Sequence, residues 1–295
     1  MHFQPKLTNH RNYLDVLACV DPSMEGFTFR NFTISSISID ELLCLVNHIT
    51  KGRETEHLRM LLNQHALHIP DRSNLLIQEF IPSDSLSECY DFSVMLHLYK
   101  SSDIYSCYST TYRFDGSALS FGGNIQITHY EHAGFPDYVQ PNYFLTNEEK
   151  LSFSSWYEKY HPQIFGESNS TFKHILRTYI DSFLIGKIGA EYIYLFTILE
   201  SLFVSKNQKI KYQISHNTAS FLSSSKSEQL QIAEKLTTLY RSRSEFVHNA
   251  KVIDQEDLFA LREIIRQLLL ILVDFGYARP NADFKSLKKV VDYST

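Results

Sequence analysis

The fold of the C-terminal half is decided by one stretch, residues 255–276, which reads QEDLFALREIIRQLLLILVDFG. Apolar residues recur here at alternating spacings of three and four, which is the period of an amphipathic helix. Such a seam suits antiparallel packing against another helix, or a dimer interface. The residues on the seam are Leu258, Leu261, Ile265, Leu268, Leu272 and Phe275.

The segments before this helix are also predicted to be helical. Thr146 and Glu149 have the spacing of a capping box, and they open a helix through Leu151, Phe153, Trp156 and Tyr160. Apolar periodicity predicts the remaining helices, so this half is expected to be an all-helical bundle. Their approximate ranges are 171–185, 189–205, 212–223 and 228–248, and the helix that carries the seam spans 255–276.

The first half of the chain predicts a mixture of strands and helices. Apolar and polar residues alternate over parts of 27–39, which indicates a strand, and Ser38 with Glu41 forms a capping box for the next helix. A second short helix is predicted at about 54–66. Further strands are predicted at DFSVMLHLYK (91–100), IYSCYSTTYRF (104–114) and NIQITHY (124–130), the last two separated by the turn-rich segment 115–123.

These segments predict an α+β fold class, in which an N-terminal mixed α/β domain with an antiparallel sheet precedes an all-α helical bundle. A length of 295 residues also suggests two domains, at about 150 residues each. Residues 136–146 contain Pro136 and Pro141 without clear periodicity, which predicts a linker. The predicted domains are therefore 1–135, a sensing or regulatory domain of unknown family, and 147–295.

Composition limits the class of protein. Apolar residues make up 43% of the chain and charged residues 21%, which excludes a disordered chain. The longest aliphatic run, Leu268 to Val273, is far shorter than a bilayer span, and the N-terminus has no apolar core of a secretory signal. The four cysteines are scattered and have no C-x-x-C spacing. We therefore expect a cytoplasmic protein with no membrane partner.

Charge is distributed unevenly between the two halves. Residues 1–149 carry 9 Lys and Arg against 18 Asp and Glu, a balance of −9, whereas residues 150–295 carry 19 against 15, a balance of +4. This asymmetry permits an anionic partner such as RNA for the C-terminal half. A balance of +4 over 146 residues is also ordinary for a protein without such a partner.

The residues with the strongest chemical pattern lie in LYRSRSEFVHNAK, residues 239–251. Arg243 is four residues from Leu239 and four from Val247, so we expect it on the packed face of a helix. Asn249 is predicted to stop this helix because asparagine tolerates left-handed geometry. His248 then falls in the last turn, where the carbonyl end of the helix favours imidazolium by roughly 0.3–1 kcal/mol.

Glu200 is anomalous because it lies within the apolar stretch YIYLFTILESLFV, residues 192–204. A carboxylate on a mostly buried helix needs a cationic or hydrogen-bonding partner, and Arg243 is the candidate. The pair has two interpretations. It either fixes the register of two helices, or it supports an arginine that acts on a substrate.

Residues about 147–290 resemble a HEPN domain, specifically the Apea-like HEPN group found in prokaryotic antiviral proteins. The resemblance rests on an R-x4-6-H motif, Arg243 to His248, with the polar Ser244 after the arginine and Asn249 after the histidine. It also rests on the preceding LYRSR, and on a helix that ends in ILESLF and is followed by IKYQISHNTASFL. Arg241 satisfies the looser spacing of the same motif.

The resemblance implies a metal-independent endoribonuclease, an antiviral or toxin-type effector, in which two motifs of a homodimer form one composite site. No cofactor is expected, and RNA is the expected partner, with a phage or cellular trigger at the N-terminal domain. The residues it implies for catalysis are Arg243, His248 and Glu200, and those for substrate binding are Ser244, Asn249, Arg241 and Tyr240. Tyr240 has a second interpretation, as a buried aromatic residue of the bundle.

Histidine and arginine suit this chemistry. Histidine titrates near neutral pH and serves as a general acid or base, and a guanidinium stabilises charge on phosphate oxygens. RNA supplies its own nucleophile, the 2′-OH, so no metal-activated water is required. Residues five apart on a helix diverge by about 140°, so one chain is not expected to direct Arg243 and His248 at one phosphate.

One departure and one alternative accompany the resemblance. Ala250 stands where HEPN toxins neutralised by a nucleotidyltransferase partner have a tyrosine, so that form of control is not expected. The alternative function is a non-catalytic HEPN scaffold that binds RNA or a protein.

A metal site is not expected, because the histidine clusters lack zinc-site spacing. Those clusters are His129, Glu131 and His132, and His65 with His68.

Overall fold

The computed structural model describes residues 11–50, 55–64, 74–80, 87–101, 104–114, 119–120, 142–183, 185–205 and 209–288. These residues form two compact units, which divide between Tyr157 and Glu158, inside a helix. The N-terminal unit combines a sheet with helices, and the described part of the C-terminal unit is helical. The predicted α+β class with a helical C-terminal part is therefore confirmed.

The described strands of the N-terminal unit form one antiparallel sheet in the order β2-β3-β4-β1-β5-β6. Strand β1 lies inside the sheet, where Val16 pairs with Ile77 on β4 and with Tyr108 on β5. The strands are β1 (Arg11–Ala18), β2 (Thr28–Phe29), β3 (Phe32–Ser38), β4 (Asn74–Phe80), β5 (Tyr105–Phe114) and β6 (Leu119–Ser120).

Four of the predicted elements in this unit are confirmed: the strand at 27–39, the capped helix that follows it, the short helix at about 54–66 and the strand at 104–114. The strand predicted at 27–39 exists, although a two-residue turn at Arg30, whose φ is 48°, divides it into β2 and β3. The Ser38–Glu41 capping box is formed, because the Ser38 hydroxyl donates to Glu41 Oε2 at 2.8 Å and accepts from the Glu41 amide at 3.2 Å. It opens helix α1 (Ile39–Thr50), which is followed by α2 (Thr55–Gln64).

The strand predicted at 91–100 is wrong, because this segment belongs to helix α3 (Ser87–Tyr99). The alternation of apolar residues suggested one buried face, but Met95 and His97, which occupy the other face of that pattern, are buried as well. When a segment is buried on several sides, the period of the apolar residues no longer distinguishes a strand from a helix. Strand 104–114 is confirmed as β5, and 124–130 lies outside the described residues.

The segment before the first bundle helix packs within the N-terminal unit. The Tyr143 amide donates to the Cys19 carbonyl at 2.6 Å, and the Asp21 amide donates to the Tyr143 carbonyl at 2.9 Å. Helix α4 (Asn147–Phe165) begins with the predicted Thr146–Glu149 capping box. The part of the predicted linker that is described, residues 142–146, is thus ordered by backbone hydrogen bonds.

The predicted domain boundary at 147 differs from the division between the units because of an aromatic cluster. The Phe153 ring of α4 meets the rings of Phe27, Phe29 and Phe92 with centroids 5.2 to 6.0 Å apart. Burial of these rings attaches the first turns of α4 to the sheet unit. The apolar residues of 147–157 recur with the period of a helix. This period predicts the helix, but it does not show which of the two units the helix packs against.

The C-terminal unit consists of helices at the positions predicted, to within a few residues at each end. They are α5 (Ser170–Ser182), α6 (Ile188–Phe203), α7 (Ile210–Leu222), α8 (Lys226–Asn249) and α9 (Gln255–Asp274), followed by a 3-10 helix (Phe284–Lys288). The α9 seam is buried within the unit from Leu258 to Leu272, so it serves helix packing and is closed to a second copy. Phe275, the last residue of the predicted seam, is the exception, with 67% of its surface exposed.

A fully buried ion pair joins α6 to α9. Arg262 Nε lies 2.6 Å from Glu191 Oε1, and their side chains are 1% and 0% exposed. The Arg262 guanidinium also lies over the Phe183 ring, 4.6 Å from its centroid. Because both charges are removed from water, each depends on the other for compensation. The apolar period of α9 did not indicate this pair.

Candidate functional site

Helix α8 carries the motif residues and is anchored on α6 just before them. Its buried residues Ala233, Leu236 and Leu239 face the core. The buried Tyr192 hydroxyl donates to the Leu239 carbonyl at 2.9 Å. Burial, with a smaller contribution from Asp257, raises the pKa of Tyr192, so the phenol stays neutral and donates. This bond places the following turn of α8, residues 240–243, beside α6.

Arg243 is paired with Glu200, as the sequence predicted. Arg243 Nη2 lies 3.0 Å from Glu200 Oε1, and the two side chains are 21% and 29% exposed, so the pair is half-buried rather than fully buried. The Arg243 guanidinium also lies 5.3 Å from the ring centroid of Tyr240 and 5.9 Å from that of Phe196. One carboxylate and two aromatic faces therefore hold this cation.

The Arg243 guanidinium keeps unused hydrogen-bonding capacity. Its Nε is buried and has no hydrogen-bond partner among the residues that the structure covers. Buried donors in folded proteins nearly always have partners, so an orphaned one calls for an explanation. A guanidinium can bind a phosphate through two of its N–H groups at once. Because this Nε is buried, an anionic ligand would reach the guanidinium through its terminal N–H groups.

His248 lies on the surface in the last turn of α8, at the carbonyl end of the helix. Asn249 was expected to follow the last helical residue and to take the left-handed conformation. In the structure Asn249 is still helical, and Ala250 takes that conformation instead, with φ 52°. The Ala250 amide donates to the Glu245 carbonyl. Lys251 Nζ lies 2.6 Å from Glu245 Oε2, and its hydrogen bond lowers the pKa of Glu245. Both contacts fix the end of the helix beside His248.

The other predicted site residues divide into two groups. Tyr240 is half-buried, with its ring edge-on to Phe196 at 5.6 Å between centroids, so it packs in the bundle and also borders Arg243. Ser244 is half-buried, while Arg241 and Asn249 are exposed. The structure thus brings Tyr240, Arg243 and Glu200 together, and places Arg241, His248 and Asn249 at the surface.

Three contacts at the site were missed at the level of sequence. The first is the contact of Arg243 with the Phe196 ring. Phe196 lies four residues before Glu200, so the sequence could have placed it on the same face of the helix. Ser242 Oγ donates to Asp257 Oδ2 at 2.8 Å, which ties α8 to the first turn of α9. The Phe246 ring occupies the place where a side chain at position 189 would begin, so the Gly189 backbone approaches it closely. The last two contacts are long-range and leave no local pattern.

Neither a metal group nor a membrane span is found in the described parts of the chain. No cluster of three or more His, Cys, Asp and Glu there could hold a metal ion. No helix there is long and apolar enough to cross a membrane. The histidine clusters at 65–68 and 129–132 lie outside the described residues.

Comparison of the chain with protein-family models, with curated proteins and with solved structures finds no match in any of the three. The HEPN resemblance therefore stays a prediction from the motif residues.

Proposed function

We propose that the chain is a metal-independent endoribonuclease of the HEPN type, whose site is built on Arg243 and His248. The observation that carries the proposal is the Arg243 guanidinium, held by Glu200 and two aromatic rings on the same helix end that exposes His248. Glu200 acts as a positioning residue, because it contacts Arg243.

The proposed reaction uses the nucleophile of RNA itself. The 2′-oxygen attacks the adjacent phosphorus while a histidine accepts its proton, and the bond from phosphorus to the 5′-oxygen breaks. The leaving oxygen takes up a proton, which gives a 2′,3′-cyclic phosphate and a 5′-hydroxyl. Arginine stabilises the additional negative charge on the phosphate oxygens during transfer.

Incubating the purified protein with end-labelled RNA in EDTA tests this proposal directly. We expect internal cleavage with cyclic-phosphate ends, because the reaction draws on side chains and the 2′-OH alone. The same oligonucleotide with 2′-O-methyl groups is the matched control and should remain intact, since it has no free nucleophile. The proposal is contradicted if the methylated RNA is cleaved, or if neither RNA is cleaved.

We propose that the active species is a homodimer. Arg243 is directed into a half-buried site while His248 is exposed, consistent with the divergence of about 140° between residues five apart on a helix. A twofold axis near the motif brings the arginine of one copy toward the histidine of the other. Val247 and Val252 lie on either side of His248 in the sequence and are exposed, Val252 by 83%, which leaves apolar surface for a second copy.

Val252→Asp should therefore weaken dimerisation, by at least about tenfold in dissociation constant, because a twofold interface buries the new charge twice. Cleavage should fall in parallel at low protein concentration and recover at high concentration. Sedimentation and cleavage assays over a dilution series measure both effects. Leu230→Asp, at an exposed apolar position near the other end of α8, is the matched control. A wild-type monomer that cleaves RNA contradicts the dimer.

Glu200→Gln should lower the cleavage rate by about 10- to 100-fold if the carboxylate orients Arg243, since it removes the charge and keeps the shape. Glu200→Ala should lower the free energy of unfolding by an amount between the roughly 0.2–1 kcal/mol of an exposed pair and the about 3–5 kcal/mol of a buried one. Cleavage assays and urea unfolding separate the two effects. Glu263→Gln, which breaks a pair with Arg266 on α9, should leave cleavage unchanged.

The second candidate function is a non-catalytic scaffold that binds RNA or a protein. The observation in its favour is the same Glu200–Arg243 pair, because a half-buried ion pair between two helices also fixes their register. In that case Glu200→Gln and Glu200→Ala change stability, while wild-type protein shows no cleavage to lose.

We also propose the biological setting that the resemblance implies, a cytoplasmic antiviral or toxin-type effector. In this setting the N-terminal unit restrains the ribonuclease or senses a phage or cellular trigger. Expression of the wild-type chain should slow growth of a bacterial host more than expression of Arg243→Ala does. Equal growth of the two strains under phage challenge as well as without it contradicts this setting.

A further inference from the structure

An aromatic surface with adjacent cations lies at the C-terminal end of the bundle. Its rings are Phe221, Phe275, Tyr277 and Phe284, and we call it the C-terminal aromatic surface. Phe221 lies 5.5 Å from Phe275 and 5.9 Å from Tyr277 between ring centroids, and Tyr277 lies 5.3 Å from Phe284. Phe275 is the ring most open to solvent, at 67% exposed.

The backbone holds Phe275 and Tyr277 in fixed positions. Gly276, with φ 78°, ends α9 in a left-handed turn, and its amide donates to the Val273 carbonyl at 2.9 Å. The Tyr277 amide donates to the Leu272 carbonyl at 2.8 Å, which completes a Schellman motif. An exposed ring on such a rigid turn loses little conformational freedom when a ligand stacks on it.

Two cations lie close in sequence to these rings. Arg279 and Lys285 are exposed, and neither forms an ion pair with any described residue. The Arg279 side chain folds back along the turn, with Nε 3.3 Å from where a Cβ on Gly276 would stand. Residues 275–288 carry three basic residues and one acidic residue, a balance of +2.

The nearby carboxylates are already engaged. Asp274 binds Lys159 Nζ at 2.8 Å and accepts the Tyr160 hydroxyl at 3.0 Å. Asp283 accepts the Lys285 amide at 2.9 Å, so it caps the short 3-10 helix. These contacts reduce the repulsion that the two carboxylates would exert on an anionic ligand.

We infer that the C-terminal aromatic surface binds single-stranded RNA, with a base stacked on Phe275 and phosphates beside Arg279 and Lys285. An exposed ring suits a flexible polyanion that carries aromatic bases when exposed cations lie nearby in the chain and form no ion pair with a described residue. This inference rests on the proposed function, for which it supplies a substrate-binding surface in addition to the motif.

Binding of a fluorescent 2′-O-methyl RNA to the full chain tests this inference separately from cleavage, because this RNA has no free 2′-OH. Phe275→Ala should raise the dissociation constant by about 5- to 150-fold, the range that loss of one stacked base produces. Phe275→Trp should preserve affinity. Arg279→Gln should lower the slope of log affinity against log salt concentration by about 0.7, the value for one phosphate of a single strand.

Tyr90→Ala, which removes an exposed aromatic ring of the N-terminal unit, is the matched control and should bind RNA like the wild type. Equal affinity of wild type and Phe275→Ala, with matching melting curves, overturns the inference, as does failure of the wild type to bind. Binding that depends on Phe275 without cleavage of unmodified RNA supports the inference and contradicts the ribonuclease proposal.

Discussion

Arg243→Ala and His248→Ala should each lower the rate of RNA cleavage by about 10²–10⁴-fold, because each removes a group that acts on the reacting phosphate. The stability effects should differ. Arg243→Ala leaves Glu200 unpaired in a half-buried site, whereas His248 is exposed and its removal should change unfolding little. Single-turnover cleavage in EDTA, with urea unfolding of each variant, measures both quantities.

Two further variants separate the roles of the arginines. Arg243→Lys keeps the charge and loses the planar fork, so we expect it to stay strongly impaired. Arg241→Ala tests the looser motif spacing, and a loss there that exceeds the loss at Arg243 would move the site to Arg241. Arg177→Ala, at an exposed position on α5, is the matched control and should cleave normally. Wild-type activity in both Arg243→Ala and His248→Ala would falsify the ribonuclease assignment.

Arg262→Ala should lower the free energy of unfolding by about 3–5 kcal/mol, because it leaves the carboxylate of Glu191 buried without this cation. Folded domains are stable by only about 5–15 kcal/mol, so this variant should be close to unfolding under ordinary conditions. Urea unfolding followed by circular dichroism measures the loss. Arg177→Ala breaks an exposed pair with Asp181 and should change stability by less than about 1 kcal/mol.

The loss in Arg262→Ala should also depend on pH. A buried carboxylate that has lost its paired cation takes up a proton more readily than an exposed one, so the Glu191 carboxylate of the folded variant binds more protons than that of its unfolded chain. Stability of this variant relative to the wild type should therefore fall as pH rises, with a smaller deficit at about pH 5 than at about pH 7.5. A loss below about 1 kcal/mol at neutral pH contradicts the structural importance of the pair.

Local rules predicted the parts of the fold that depend on nearby residues. The two capping boxes, Ser38 with Glu41 and Thr146 with Glu149, join residues three apart, and both are formed. The bundle helices follow an apolar period that requires only one buried face. The Glu200–Arg243 pair was predicted from a similar rule, since each charge lies in an apolar context and each needs compensation.

The sheet depended on information that a single stretch of sequence lacks. Strands β1 and β4 were not predicted, although β1 pairs with both β4 and β5 inside the sheet. Their neighbours in space come from distant parts of the chain, and strand preference depends strongly on those neighbours. Helix α3 was misread as a strand for a related reason, since its burial on several sides removed the contrast on which periodicity relies.

Residues close together in the chain are enough to predict the bundle helices and to reveal an R-x4-H motif at the end of one of them. The packing of distant segments sets three other features: Arg243 lies against Phe196 and Tyr240, the α9 seam is closed inside the unit, and Glu191 meets Arg262. The two sets of features differ in range. Helical hydrogen bonds and caps join residues within a turn or two, whereas burial and ion pairing between helices depend on how distant segments pack.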